Sequence, residues 1–143
     1  MAVDGSENSD RALDLALDIG EKYNADIMIL NVSGSLTMSA FPEESAATAT
    51  GSATTVARDL RKIHAEILNN AVAHAKLVKP DLTISSTLRE GDPALEIVSV
   101  AKEGGFDVVV IGHRGLGRVK ELFLGSTSEK VAHLAPCPVI IAK

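Results

Sequence analysis

Two hydrophobic periods alternate along the chain. Short, nearly continuous apolar runs occur at 26–32 (DIMILNV), 107–111 (DVVVI) and 138–142 (PVIIA). Such runs suit strands buried on both faces of a parallel sheet. A more mixed run at 82–89 (LTISSTLR) is a further strand candidate. Between these runs the apolar positions step by three and four. Ala12, Leu13, Ala16 and Leu17 share one face of a helix running to about Tyr23, with Ser9 placed as its cap. Val56, Leu60, Ile63, Ile67, Ala71, Ala75 and Val78 predict a long amphipathic helix over 56–78, stopped by Pro80. Pro93 suits the first turn of a helix that ends near Glu103, before Gly104 and Gly105. A last helix covers 126–135 and stops before Pro136.

Strands separated by helices predict right-handed crossovers: an α/β fold whose parallel sheet carries helices on both faces. The 143 residues fit a single domain over 1–143. Ligands in such folds bind outside the carboxyl ends of the strands, where strand order reverses. Two segments interrupt the alternation. Residues 33–55 are rich in Ser, Thr, Ala and Gly and have little periodicity. They are expected as a mobile loop with at most a short helix, either a floppy excursion or a lid. At the start, Ala2-Val3-Asp4 reads as the end of a strand before a Gly5-Ser6 turn. Three residues fall short of the ~5–6 usual for a strand. The expectation is that Met1 is itself a strand residue and that native residues precede it; N-terminal sequencing of the natural protein decides this.

Composition narrows the picture. Hydrophobic residues make up 45%, with a mean hydropathy of +0.16, enough for a real core. Aromatic residues are only 3% and Trp is absent, so that core is aliphatic. The net charge of −5 opposes general nucleic-acid binding, which needs a positive field, but leaves room for a small anion in a local pocket. The single cysteine, Cys137, rules out an internal disulfide and fits a reducing compartment. No apolar run approaches the ~20 residues of a membrane helix and no signal-peptide pattern opens the sequence. A cytoplasmic protein without membrane contact is expected.

Candidate chemistry concentrates at Gly112–Val131, GHRGLGRVKELFLGSTSEKV. Gly112 follows the DVVVI strand, Gly115 follows shortly, and Gly125 immediately precedes Ser126 at the start of the last helix. A helix's first turn has free N–H donors and a partial positive charge. Glycines allow a phosphate to approach the backbone and permit positive φ without strain. Ser126, Thr127 and Ser128 add hydroxyls, and Arg114, Arg118 and Lys120 add positive charge. Spacing alone equally suits ordinary turn and cap glycines, with Ser126 or Thr127 a plain N-cap. The stretch is neither a G-x-x-x-x-G-K-[ST] loop nor a G-x-G-x-x-G fingerprint, so a nucleotide here needs a different cradle.

Gly112–Lys143, AVDGSENSDRALDLAL at 2–17 and EGDPALEIV at 90–98 resemble the universal stress protein family. The resemblance covers nearly the whole chain and is weakest over 33–55. The motif G-2x-G-9x-G-(S/T) marks the family's ATP-binding branch; Gly112, Gly115, Gly125 and Ser126 fill it. The resemblance implies a Rossmann-like open parallel sheet of five strands in the order 3-2-1-4-5. It also implies an ATP-type ligand, with AMP or ADP as variants, and Mg or Mn carried by the phosphates. Asp4 would face the adenosine and the Val32 backbone would recognise adenine. Gly112 and Gly115 would line ribose and phosphates, with His113 and Arg114 close by, and Gly125, Ser126, Thr127 and Ser128 would hold the phosphates. The truncated first strand departs from the pattern, as does His113, which stands where many members carry a small hydroxyl residue. The family also implies a homodimer through the strand at 138–142. An exposed apolar edge invites another strand, and only Lys143 remains to cover it.

The remaining candidates have plainer alternatives. On spacing alone, Asp4 caps the Gly5-Ser6 turn; as a ligand group, its carboxylate suits sugar hydroxyls better than phosphate. His64, His74, His113 and His133 form no i,i+4 ligand pair with His or Cys, so a metal held by protein side chains is not expected. His64 and His74 are expected to face solvent, and His133 to pair with Glu129. Cys137 reads as a packed residue, and no catalytic residue is assigned. The expected function is that of an ATP-binding stress-response sensor or adaptor. The alternatives are a slow Mg-dependent ATP hydrolase, for which no clear general base is present, and a nucleotide-free dimeric interaction module, against which the intact motif argues.

Overall fold

The computed structural model of the chain describes residues 1–34, 46–116 and 124–143, with 46–54 as helix backbone alone. Helix α1 (Glu7–Tyr23) is capped by Ser6, whose hydroxyl accepts the Ser9 N–H at 3.2 Å. Ser9, expected as the cap, lies inside the first turn. Asp4 Oδ1 accepts the Ser6 N–H at 3.0 Å, and that turn starts the helix earlier than periodicity suggested. Asn24 ends α1 in left-handed backbone at φ 50°, as a C-terminal cap position favours. Strand β1 (Ile27–Ser33) follows and is buried at all but Met28. Helix α2 (Ala46–Val78) begins inside the stretch expected as loop. The Ala content of that stretch supplies helix propensity that its Ser, Thr and Gly concealed. Of the expected loop, residues 35–45 lie outside the described residues.

Strand β2 (Ile84–Glu90) leads into α3 (Pro93–Glu103), where Asp92 caps the Ala94 and Leu95 N–H groups at 3.0 and 3.1 Å. Gly104 closes α3, and Gly105 takes the left-handed backbone of the following turn at φ +60°. Strand β3 (Val109–Gly112), helix α4 (Ser126–Leu134) and strand β4 (Val139–Ala142) complete the chain.

The strands pair in parallel: β1 with β2, from Ile27 opposite Ile84, and β3 with β4, from Val109 opposite Val139. Between the pairs runs the N-terminal segment. Ala2 makes isolated parallel bridges to Leu30 and to Ile111. The architecture is therefore α/β, with two two-stranded parallel ladders joined through the Ala2 bridges. The segment turns away after Val3, and its pairing with each neighbour is an isolated bridge.

Alternation along the strands divides the core. Ile29 and Val3 pack with Leu13, Leu17 and Leu68 beneath α1 and α2. Leu30, Val32, Val109 and Ile111 pack with Ile97, Val100 and Val131 beneath α3 and α4. Leu17 and Ile29 are fully buried, and each such side chain contributes roughly 1.5–3 kcal/mol.

Candidate functional site

The carboxyl ends of the N-terminal segment, β1 and β3 open into a cavity of about 460 Å³. Asp4, Val32, Gly112, Arg114, Gly115 and Gly125 through Ser128 line it: nine of the ten residues singled out in the sequence. His113 does not. Leu30, Ile97 and Ile111 form an apolar wall that the motif did not reveal. Leu30 lies two residues before Val32 and Ile97 one turn after Pro93, so strand and helix periods were the available signals. Glu129 also lines the cavity, beside the serine and threonine hydroxyls.

Backbone parity sets what Val32 offers. The Ile27 N–H donates to Thr83, and the Ser33 carbonyl accepts from Gly91, so odd-numbered residues of β1 face β2. The Leu30 N–H and carbonyl face the other way, to Met1 and Val3, at 2.9 Å each. Val32 shares Leu30's parity. Its N–H and carbonyl therefore point toward the cavity, where the N-terminal segment has already turned aside.

Asp4 realises the turn-capping alternative while lining the cavity. Its Oδ1 holds the Ser6 N–H and its Oδ2 accepts the Leu116 N–H at 3.2 Å. The carboxylate thereby links the start of α1 to the chain leaving β3.

Three helices begin near this end of the sheet, and they are capped differently. Ser6 caps α1 and Asp92 caps α3. The Leu95 N–H, and after it the charge of Lys130, hold the Asp92 carboxyl below its usual range against its partial burial. At α4 the cap residue is Gly125, and among the described residues no side chain caps the first turn. The Ser128 hydroxyl is shared between the His113 and Gly125 carbonyls at 2.9 Å each, and the Gly125 N–H donates to His113 at 2.9 Å. His113 thus anchors α4 through its backbone, while its buried Nδ1 has no hydrogen-bond partner among the described residues.

The motif glycines owe little to positive φ, contrary to expectation. Gly5, Gly91 and Gly105 adopt it among the described glycines; Gly112, Gly115 and Gly125 do not. Close approach explains them instead. A Cβ on Gly112 would lie 2.9 Å from the Asn8 carbonyl, and one on Gly125 would lie 3.2 Å from the His113 oxygen. One on Gly115 would overlap Asp4 Oδ2.

Arg114 lines the cavity, and its carbonyl accepts the Ser6 hydroxyl at 3.4 Å. Arg118 and Lys120 lie outside the described residues. His64 does not face solvent freely: its Nδ1 meets Asn31 Oδ1 at 2.7 Å. His74 pairs with Asp14 at 2.7 Å near the surface. His133 is exposed, and the expected pair with Glu129 is not among the described ion pairs. Cys137 packs against the core beneath α3 and α4. Among the described residues no group of three or more His, Cys, Asp or Glu side chains is placed to hold a metal, and no helix is long and apolar enough to cross a membrane.

The model of the universal stress protein family matches residues 1–143. The chain belongs to the universal stress protein family. Universal stress protein YxiE of Bacillus subtilis is 33% identical over 150 residues, covering 100% of this chain and 96% of that one. Among solved structures, universal stress protein UspA from Lactobacillus plantarum superposes with a TM-score of 0.81 at 21% identity, over 99% of this chain and 94% of its own. A universal stress protein in complex with cAMP superposes with a TM-score of 0.67 at 26% identity, over 99% and 92%.

Proposed function

We propose that this universal stress protein binds an adenine nucleotide of the ATP type in the cavity at the strand ends and acts as a nucleotide-dependent sensor or adaptor of the cytoplasm. The uncapped first turn of α4, opening into that cavity opposite the Val32 backbone, carries the reading. An anion satisfies free first-turn N–H groups and the helix dipole together. The phosphates lie against Gly125, Ser126, Thr127 and Ser128, with Arg114 adding charge. Adenine pairs with the Val32 N–H and carbonyl over the apolar wall, and the ribose hydroxyls meet Asp4, with Gly112 and Gly115 between. Mg or Mn, where present, rides on the phosphates. The cAMP held by a structural relative contains adenine, ribose and one phosphate, the parts these groups are suited to meet.

Two finer readings accompany this one. The N-terminal segment acts as the central strand of a sheet in the order 3-2-1-4-5, since Ala2 bridges both neighbours. Two chains pair through 138–142, since among the described strands only β3 pairs with β4, which leaves its other backbone edge open. Calorimetric titration of nucleotide-free protein with ATP, with and without Mg²⁺, and with AMP, tests the site. Saturation near one nucleotide per chain is expected, with ATP tighter than AMP. No heat at millimolar ligand overturns the reading and leaves a dimeric module with an empty motif.

A further inference from the structure

We propose that His64, on α2, is a positioning residue for the adenosine end of the cavity, acting through Asn31. The inference rests on the nucleotide reading above. Asn31 sits within an apolar strand and is only 1% exposed. Its Nδ2 donates to the Val3 carbonyl at 2.8 Å, and its Oδ1 meets His64 Nδ1 at 2.7 Å. The Val3 carbonyl can only accept, so the amide nitrogen must face it. The amide oxygen then faces His64, which must present Nδ1 with its hydrogen. The orientation of Asn31 and the tautomer of His64 fix each other.

The place of this pair in the chain gives it a consequence for the site. Val32 follows Asn31, and Asp4 follows Val3. The backbone pairing of β1 with the N-terminal segment runs out at the Val3 N–H, which donates to Leu30 at 2.9 Å. Beyond that point the Asn31 side chain is the tie that spans the two as they part. The gap it sets is the one between the Val32 backbone and the Asp4 carboxylate, the two groups assigned to adenine and ribose. Without a donor from His64, a buried amide oxygen is left unsatisfied, and Asn31 is free to turn away from Val3. A residue present only to fill space on this apolar face would not need a polar pair.

Titration of ATP and AMP into wild type, His64→Leu and His64→Gln, well below each melting temperature, tests the assignment. His64→Leu keeps bulk and removes the donor; it should weaken ATP and AMP by the same factor, about tenfold, the equivalent of one hydrogen bond. The equal factor is the readout that general loosening does not give, because the phosphates bind at α4, away from this pair. His64→Gln restores a donor and should return both affinities to within about threefold of wild type. Unchanged affinities in folded His64→Leu, a loss confined to ATP, or a tenfold loss in stably folded His64→Gln overturns the inference. If His64→Leu does not fold, His64→Gln alone decides on the same threshold. Wild type that binds neither nucleotide overturns the site reading itself, and this inference with it; wild type that binds normally isolates the failure to His64.

Discussion

Gly112 and Gly115 belong to one motif but stand against different neighbours. At Gly115 a side chain meets the end of the Asp4 carboxylate, which can swing aside. Gly115→Val should therefore fold normally while displacing Asp4, and ATP affinity should fall at least about tenfold, the worth of one lost hydrogen bond. At Gly112 a side chain meets the α1 backbone at Asn8, which cannot swing. Gly112→Ala should cost about 1–3 kcal/mol of stability as an overpacked site. Thermal melts beside ATP titrations separate the two, and equal behaviour of both variants in both assays would refute the distinction. The glycine spacing in the sequence showed where the backbone is closely approached. It could not show that Asn8, far off in the chain, is what approaches Gly112. The His64–Asn31 bond was hidden for the same reason. Helical spacing assigned His64 to a polar face, and nothing in a linear pattern pairs it with an amide inside an apolar strand.

At the level of elements, apolar periodicity located the helices and strands well and their ends less well. The span of α3 was legible from Pro93 and the glycine pair because both act locally. The start of α2 was not, since Ala46–Thr55 has helix propensity without an apolar stripe to reveal it. Capping gives one prediction here. Asp92→Ala removes the acceptor for two N–H groups and should destabilise the fold by about 0.5–1 kcal/mol, toward the low end because the carboxylate is partly exposed. Folding lowers the pKa of this carboxyl, so its contribution is complete above the ordinary carboxylate range near ~4 and is lost as pH falls through the lowered value. Melts of wild type and variant should converge in acid; a constant difference across pH would contradict the assignment. A second prediction concerns β4. The Val109 and His113 N–H groups donate to the Pro138 and Ala142 carbonyls, so even-numbered residues of β4 face β3. Val139 and Ile141 have the opposite parity and direct their backbone outward. Val139→Pro deletes an outward donor and leaves the β3 ladder in place. If two copies pair along this edge, light scattering should show the mass of the variant fall from dimer to monomer. A variant that stays dimeric would place the interface elsewhere.

The whole molecule closes around the N-terminal segment, which lies between the two strand pairs and contributes to both sides of the core. Its brevity was visible in the sequence, and so was the alternation that puts helices on both faces. The consequence for an amino group at Met1 was not visible, because its burial depends on elements that close around it later in the sequence. In a chain that begins at Met1, the amino group of that residue donates to the Met28 carbonyl at 2.9 Å, beside the core. Burial lowers its pKa from 8.0 to about 6, with the Cys137 side chain acting weakly in the opposite direction. The unfolded chain therefore takes up this proton as pH falls through ~8, while the folded chain resists until about 6. Between those values the unfolded state holds more protons, so this group makes stability rise with pH across the window and level off on either side. The difference between the two states' affinities for this proton amounts to roughly 2–3 kcal/mol across the window. Thermal unfolding from about pH 5.5 to about pH 8.5, a range that brackets both values, measures it. The melting temperature should climb through that interval, and Nα-acetylation, which removes the titrating group, should flatten the climb. A slope that survives acetylation would assign it to other groups, and a flat profile in the unmodified chain would mean that the amino group reaches water in the folded protein.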